Sequence, residues 1–208
     1  KPHVDALGAR VGDLCRELGA TVTVHPREAV GDLRQAVWNA DAPGKPILLL
    51  AHMDTVWPVG TLEEMPLRVE GDTLYGPGAL DMKGGIVVTL ETLRGLIERG
   101  ELPERPIWLL CNSDEETGSK HSRALIEELA QQAGLVLVME PASDGEALKV
   151  WRKGIARYTV HTHGRASHAG NAPEAGINAI IEAAHQALAL HALNDLPNGT
   201  SVSVTRVS

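Results

Sequence analysis

Phenylalanine is absent from the chain, and aromatic residues make up only 3% of it. A core must therefore be built from Leu, Val, Ile and Ala, and platforms on which nucleic-acid bases could stack are missing. There are two cysteines, Cys15 and Cys111, too few for a disulfide framework. Cys111 closes an apolar run and Cys15 falls on the apolar side of an expected helix, so both read as reduced, buried small hydrophobes. No run of Lys or Arg stands out, and 27 acidic against 19 basic side chains leave a formal charge of −8. Nucleic acid and an anionic membrane surface are poor partners for such a chain. The longest apolar runs, such as Ile47 to Ala51, are far too short to span a bilayer, so a soluble protein is expected. No secretory signal is visible and the sequence begins at Lys1. The cytoplasm is the expected compartment, with the periplasm or secretion as the alternative if a leader was removed.

What is present is a 208-residue chain of 43% apolar residues, enough to bury a sizeable core. Val4, Leu7, Val11, Leu14 and Leu18 recur at helical spacing, with Gly19 as a terminal cap. Strands are expected at Thr21 to His25 and Gln35 to Asn39. Pro46 to Ala51 is an unbroken apolar run, the pattern of a strand covered on both faces. Leu67 to Tyr75 alternates around Gly71 and Asp72 as a hairpin does. A helix carrying Ile86, Val87, Leu90, Leu93, Leu96 and Ile97 follows and stops at Gly100. Ile107 to Cys111 is then a second buried strand, Ser122 to Ala133 a helix, and Leu135 to Met139 a third buried strand. This order predicts an α/β fold, a mostly parallel sheet with helices on both faces.

From Trp151 the texture changes. Ile155 to His163 alternates like a half-exposed strand, and Asn171 to Glu174 offers a cap, a Pro and a Glu for a helix bearing Ile177, Ile180, Ile181, Ala184 and Leu188. Ser201 to Val207 alternates again. Residues 1–150 are expected to form the larger domain, and residues 151–208 part of a smaller α+β one.

The polar residues at the strand ends carry the chemistry. His52 and Asp54 follow the first buried strand, Glu115 and Glu116 the second, and Glu140 the third, while Asp81 lies in a Gly-rich loop leading into a helix. Parallel sheets place their sites at the carboxyl ends of strands, so one imidazole and several carboxylates should converge. Any one of these residues alone is an ordinary strand-end group; an imidazole and four acids at three consecutive strand ends call for a cation. If Asp81, Glu116 and Glu140 are ligands, their three negative charges face four on two divalent ions, which leaves room for one hydroxide. Imidazole with carboxylates suits zinc, with manganese or cobalt as alternatives.

The segments LLLAHMDTVWP, LYGPGALDMKGG, CNSDEETGS, LVMEPA, RKGIARYTV and GRASHAGNAPEAGINAI resemble the di-zinc exopeptidases and deacylases: glutamate carboxypeptidase, acetylornithine deacetylase and succinyl-diaminopimelate desuccinylase. HMDTV, YGPG and ASHAG look closest to the glutamate carboxypeptidase branch. The resemblance implies that His52, Asp81 and Glu140 bind one zinc and that Asp81 bridges to a second held by Glu116. Asp54 would orient His52, and Glu115 would be the general base that takes a proton from a metal-bridging water. His168 would act from a lid domain across a homodimer, at the carbonyl oxygen of the substrate. The substrate would be a small peptide or N-acyl amino acid, and the product a C-terminal amino acid such as glutamate.

Other residues have structural readings. His161 and His163 share a solvated face, Trp57 either walls the pocket or packs its loop, and Arg152 and Lys153 are either solvated or meet an anionic substrate end. Lys83, in the first turn of a helix where the dipole disfavours it, should be held by neighbouring carboxylates. The family also supplies a terminal His and a second lid half from downstream segments that this sequence lacks. The chain is accordingly expected to be part of a longer polypeptide and to be weakly active or inert alone. A non-catalytic binding or dimerising module is the competing class; the adjacent pair Glu115 and Glu116, which such a module has no need of, argues against it. An aminopeptidase or deacetylase of the same family would differ only in the substrate end it grips.

Overall fold

The computed structural model describes residues 1–143, 145 and 147–207; Ser208, the last residue of the expected smaller domain, lies outside them. The chain forms two compact units, Lys1–Ala147 and Leu148–Ser208.

The first unit is built on a five-stranded sheet of order β1-β2-β6-β3-β7. Its strands are β1 (Thr21–His25), β2 (Leu33–Trp38), β3 (Ile47–His52), β6 (Ile107–Asn112) and β7 (Leu135–Val138). β3 runs parallel to both β6 and β7, whereas β2 is antiparallel to β1 and β6. Four of the five strands thus share one direction, as an α/β fold with a mostly parallel sheet requires. The expected hairpin is the separate pair β4 (Arg68–Glu70) and β5 (Thr73–Tyr75), closed through Gly71 at φ 59, the left-handed conformation that glycine adopts without a Cβ penalty. A short helix, α2 (Thr61–Glu64), precedes it.

Helices cover both faces of the sheet. α1 (Pro2–Glu17) and α3 (Gly84–Glu98) bury Val11, Cys15, Ile86, Leu90 and Leu93 against Ala36, Leu49, Ala51, Leu109 and Cys111. On the opposite face α4 (Arg123–Gln132) sets Leu129 on Leu33, Leu48 and Leu110, with Leu125 and Ile126 flanking. This follows from pleating, because alternate residues of β3 and β6 serve opposite layers. Both cysteines are free and buried, and burial pushes the Cys15 thiol up to about 11 and that of Cys111 further still, so neither is a ready nucleophile.

β7 departs from expectation. Its four apolar residues, read as buried, are all exposed, from 38% at Val136 to 57% at Val138. The run is apolar enough for a central strand, but β7 is the sheet edge in this chain, and burial depends on what stands beside a strand as well as on its composition.

The second unit corrects three further expectations. Residues 155–163 do not form a strand, and neither do residues 201–207. Alternation satisfies the side-chain condition for a strand, but a ladder also needs a hydrogen-bonding neighbour; among the described residues of this unit isolated bridges join Arg165 to Ile177 and Asp195 to Thr200, and the Asn194 side chain brackets the backbone of Val202. The helix α5 (Ala179–His191) is capped by Asn178, whose Oδ1 accepts from the backbone N–H of Ile180 and Ile181. Asn171 is not that cap: the Pro and Glu behind it form only a 3-10 turn, Pro173–Ala175. Ile180, Ile181 and Leu188 lie exposed on α5.

Leu110 is fully buried between layers, so Leu110→Ala should cost roughly 2–5 kcal/mol in urea-unfolding free energy. Leu137→Ala, on the exposed edge, should cost less than about 1 kcal/mol. Equal costs at the two positions would contradict this placement of the core.

Candidate metal centre

The register of the parallel strands brings the expected residues together. β6, β3 and β7 are neighbours, and His52 is the last residue of β3, paired with Asn112 at the end of β6. Met53 N–H donates to Asn112 O and Met139 N–H to Leu50 O, so both ladders run one step further before the chains diverge. Glu115 and Glu116 emerge beyond β6 and Glu140 beyond β7. Asp81 arrives from the loop ahead of α3, where Gly78 at φ 69 turns the chain and the backbone kinks through non-helical conformations at Asp81 and Met82 before α3 begins. A Cβ on Gly85 would strike the carbonyl oxygen of Met139, so glycine lets the first turn of α3 close directly on the backbone that carries Glu140.

His52 is 2% exposed, with its two ring nitrogens facing different partners. Nδ1 lies 3.0 Å from the Asp54 backbone carbonyl and 3.5 Å from the Asp54 carboxylate. Both are acceptors, so Nδ1 carries a proton, and with that proton in place Nε2 is the nitrogen that can give a lone pair to a cation. Nε2 lies 3.1 Å from Asp81 Oδ1, 3.1 Å from Glu140 Oε1 and 4.0 Å from Glu115 Oε2. Ligand atoms of His52, Asp81 and Glu116 all lie within 4.8 Å of one another, as do those of His52, Glu115 and Glu140. Two ligands of one tetrahedral zinc, each bonded at about 2.1 Å, stand roughly 3.4 Å apart. The donor set and its spacing therefore fit a divalent cation.

Asp54 also ties the two loops together, because its carboxylate accepts from the backbone N–H of Glu116 at 3.0 Å and of Glu115 at 3.3 Å. Asp81 and Glu115 are exposed, at 58% and 50%, while Glu140 is half-buried.

Charges in this cluster perturb one another. Burial opposes a charge on His52, yet the hydrogen bond to Asp54 and the Glu140 carboxylate outweigh it and push the imidazole up to about 9. Burial likewise works to raise Asp54, but His52 and the two backbone N–H groups hold its carboxyl below the usual carboxylate range. Glu116 and Glu140 go the other way: burial raises both, Asp81 and Glu115 add to it, and His52 opposes it. Burial lowers Lys83, against the pull of Asp54, Asp81 and Glu116.

Sequence reasoning passed over two residues here. Asp114 is 1% exposed, and its Oδ2 accepts from His121 N–H at 2.7 Å, which curls the loop after Glu116 back on itself. The signal was the triple acid Asp114-Glu115-Glu116, whose first member suits an Asx-type loop bond. Met82 is buried, and its Sδ accepts from His52 N–H; no pattern in the sequence points to that contact. Trp57 is exposed in its loop. His168 belongs to the second unit and is exposed there. Its Nδ1 accepts from the N–H of Gly170 and Asn171, both at 3.1 Å, so the neutral ring presents Nε2–H as a donor. Among the described residues no helix is long and apolar enough to cross a membrane.

The model of "Peptidase family M20/M25/M40" matches residues 48–205, a span that contains every one of these site residues. The chain is 49% identical over 153 residues to carboxypeptidase G2 of Pseudomonas sp. strain RS-16, covering 73% of this chain and 37% of that protein. Acetylornithine deacetylase of Erwinia tasmaniensis is 30% identical over 186 residues, with 86% of this chain and 46% of that protein covered. In fold, the chain is similar to the crystal structure of aminopeptidase PepT from Bacillus cereus, with TM-score 0.65 at 22% identity over 87% of this chain and 49% of that one. The chain thus spans less than half the length of these relatives.

A pH dependence follows for the metal-free protein. His52 stands at about 9 when folded against about 6.5 in an unfolded chain. The stability it contributes is therefore complete below about pH 6.5 and is lost as pH rises through about 9. In the presence of a chelator, the urea midpoint should fall between pH 6.5 and pH 9.5. Zinc binding needs His52 neutral and should release a proton near pH 7, seen as buffer-dependent heat in calorimetry. A flat midpoint together with proton-neutral binding would contradict this geometry.

Proposed function

The chain belongs to peptidase family M20/M25/M40, and from that premise we propose that the polypeptide carrying it is a metal-dependent amide hydrolase releasing a C-terminal amino acid from a small peptide or N-acyl substrate. The observation that carries the reading is the buried His52, its Nδ1 held by Asp54 and its Nε2 turned to Asp81 and Glu140 at 3.1 Å each. Glutamate is the first choice of product, supported by the 49% identity to a carboxypeptidase and by the branch that the HMDTV and ASHAG segments resemble.

In this reading His52, Asp81 and Glu140 would hold one divalent cation, and Asp81 and Glu116 would contribute to holding a second. Zinc suits the imidazole and carboxylate donors, with manganese or cobalt as alternatives. Such cations, when bound, supply Lewis acidity that makes a water acidic near neutral pH and polarises the scissile carbonyl. The chain's own residues do the rest. Asp54 keeps His52 in the Nδ1–H tautomer and, through the Glu115 and Glu116 amides, fixes where those two side chains begin. Glu115 is half-exposed and 4.0 Å from His52 Nε2, so it faces the cluster and reaches solvent. Its carboxylate takes the proton of the attacking water and returns it to the departing amide nitrogen. His168, with Nε2–H free to donate, serves the carbonyl oxygen as negative charge grows there, acting from a lid formed by residues 151–208 across a homodimer. Residues 1–150 are the catalytic part in this scheme, and the cytoplasm is the proposed compartment.

Glu115→Gln in the longer polypeptide tests the assignment. Turnover of an N-acyl amino acid panel should drop by about 10²- to 10⁴-fold while zinc content stays at the wild-type level. Glu116→Gln should lower zinc content as well. If Glu115→Gln keeps wild-type turnover, or if a chelator leaves wild-type turnover intact, the reading is wrong.

A further inference from the structure

The ladder on one side of β3 ends on a sulfur. Alternate residues of a strand between two neighbours direct their backbone groups to opposite sides. Met53 N–H donates to Asn112 O on the β6 side and Leu50 O accepts from Met139 N–H on the β7 side, so the N–H of His52 faces β7. The next rung there would end on Met139 O. But β7 stops at Val138, and the first turn of α3 closes on Met139 O at Gly85. The His52 N–H donates instead to Met82 Sδ at 3.1 Å. A thioether stands where a strand carbonyl would.

The loop ahead of α3 delivers that sulfur. Asp81 (φ −115, ψ 103) and Met82 (φ −127, ψ 33) both leave the helical conformation, and successive side chains on such backbone diverge. Met82 is 1% exposed and the Asp81 side chain 58%. The thioether runs beneath His52, while the carboxylate reaches to 3.1 Å from its Nε2. Gly85 leaves the room, since a Cβ there would come within 3.0 Å of Met82 Cε. Two adjacent residues thus hold His52 from both ends, by its backbone and by its ring. Leucine would fill a similar volume, but it would leave a buried N–H without an acceptor.

We infer that Met82 is a positioning residue of the metal centre. Its thioether, by accepting the His52 N–H, ties the end of β3 to the loop that brings Asp81 and so sets the separation of the two ligands before a cation binds. This rests on the cluster being the metal centre of the preceding section. Without the sulfur the last rung of β3 frays, and a cation has to reorder His52 as it binds.

The test compares the 208-residue chain with Met82→Leu and with Met53→Leu. Met53 is the control because it is 2% exposed in the same core and directly follows His52. Two further preparations replace every methionine, one with norleucine, which has a methylene in place of the sulfur, and one with selenomethionine, which keeps a chalcogen acceptor. In chelator, amide exchange at His52 read by NMR should be about tenfold or more faster in Met82→Leu and in the norleucine protein. It should stay within about threefold of wild type in Met53→Leu and in the selenomethionine protein. Zinc affinity, measured against a competing chelator, should fall about fivefold or more in the first two and hold in the others. Wild-type exchange at His52 in the norleucine protein overturns the inference, as does faster exchange with unchanged zinc affinity. Equal weakening of zinc binding by Met53→Leu and Met82→Leu overturns it too, because packing alone gives that result. If Met82→Leu does not fold, the norleucine and selenomethionine proteins decide. If wild type itself binds no zinc, the reading of the metal centre falls, while the exchange rates still show whether the sulfur holds the N–H, so the two failures are distinguishable.

Discussion

Asp54 joins two loops that the sheet by itself would leave independent. Its backbone carbonyl and carboxylate both face His52 Nδ1, and the same carboxylate receives the N–H groups of Glu115 and Glu116. β3 and β6 only bring the two chain segments side by side. Asp54 fixes how the His52 ring is turned and where the pair of glutamates begins. A half-buried carboxylate with this many donors stays ionised, so the contact persists across the neutral pH range. The rest of the centre follows from it: Nε2 is free to face Asp81 and Glu140 because Nδ1 is already committed.

The electrostatics of the cluster point the same way as its geometry. His52 is drawn toward its charged form, while Glu116 and Glu140 are pushed toward their neutral ones. Each shift partly relieves crowded negative charge, and a divalent cation relieves it more completely. Protonated His52 answers part of that charge when no such ion is bound. The packing beneath is conventional by comparison, two leucine-rich layers on either side of β3 and β6. Their role in function is to keep three strand ends in register.

Much of this was legible in the sequence because parallel, doubly covered strands announce themselves as apolar runs, and the chemistry sits immediately after each run. Ile47 to Ala51 and Ile107 to Cys111 marked the strands, with His52 at the end of the first and Asp54, Glu115, Glu116 and Glu140 beyond strand ends. Asp81 was legible from the glycines around it. Contacts that depend on the path of a loop were not: Met82 beneath His52, Asp114 curling its own loop, and the space Gly78 leaves for Lys83. In the second unit, alternation at 155–163 and 201–207 described side chains without supplying the neighbours a ladder needs. Asn171 and Asn178 offered the same capping chemistry, and the structure uses the second. Leu135 to Val138 read correctly as a strand and wrongly as a buried one, since nothing within a strand reports whether it is the last in its sheet.

The central claim is that His52, positioned by Asp54, presents Nε2 to a cation shared with neighbouring carboxylates. Diffraction from zinc-loaded crystals, recorded on both sides of the zinc absorption edge, tests it most directly. The account requires an anomalous peak within bonding distance of His52 Nε2 and of an oxygen from Asp81 or Glu140, and its disappearance in Asp54→Ala or a marked fall in its height. Zinc found only at other histidines, such as His161 and His163, with His52 Nε2 unligated, would contradict it.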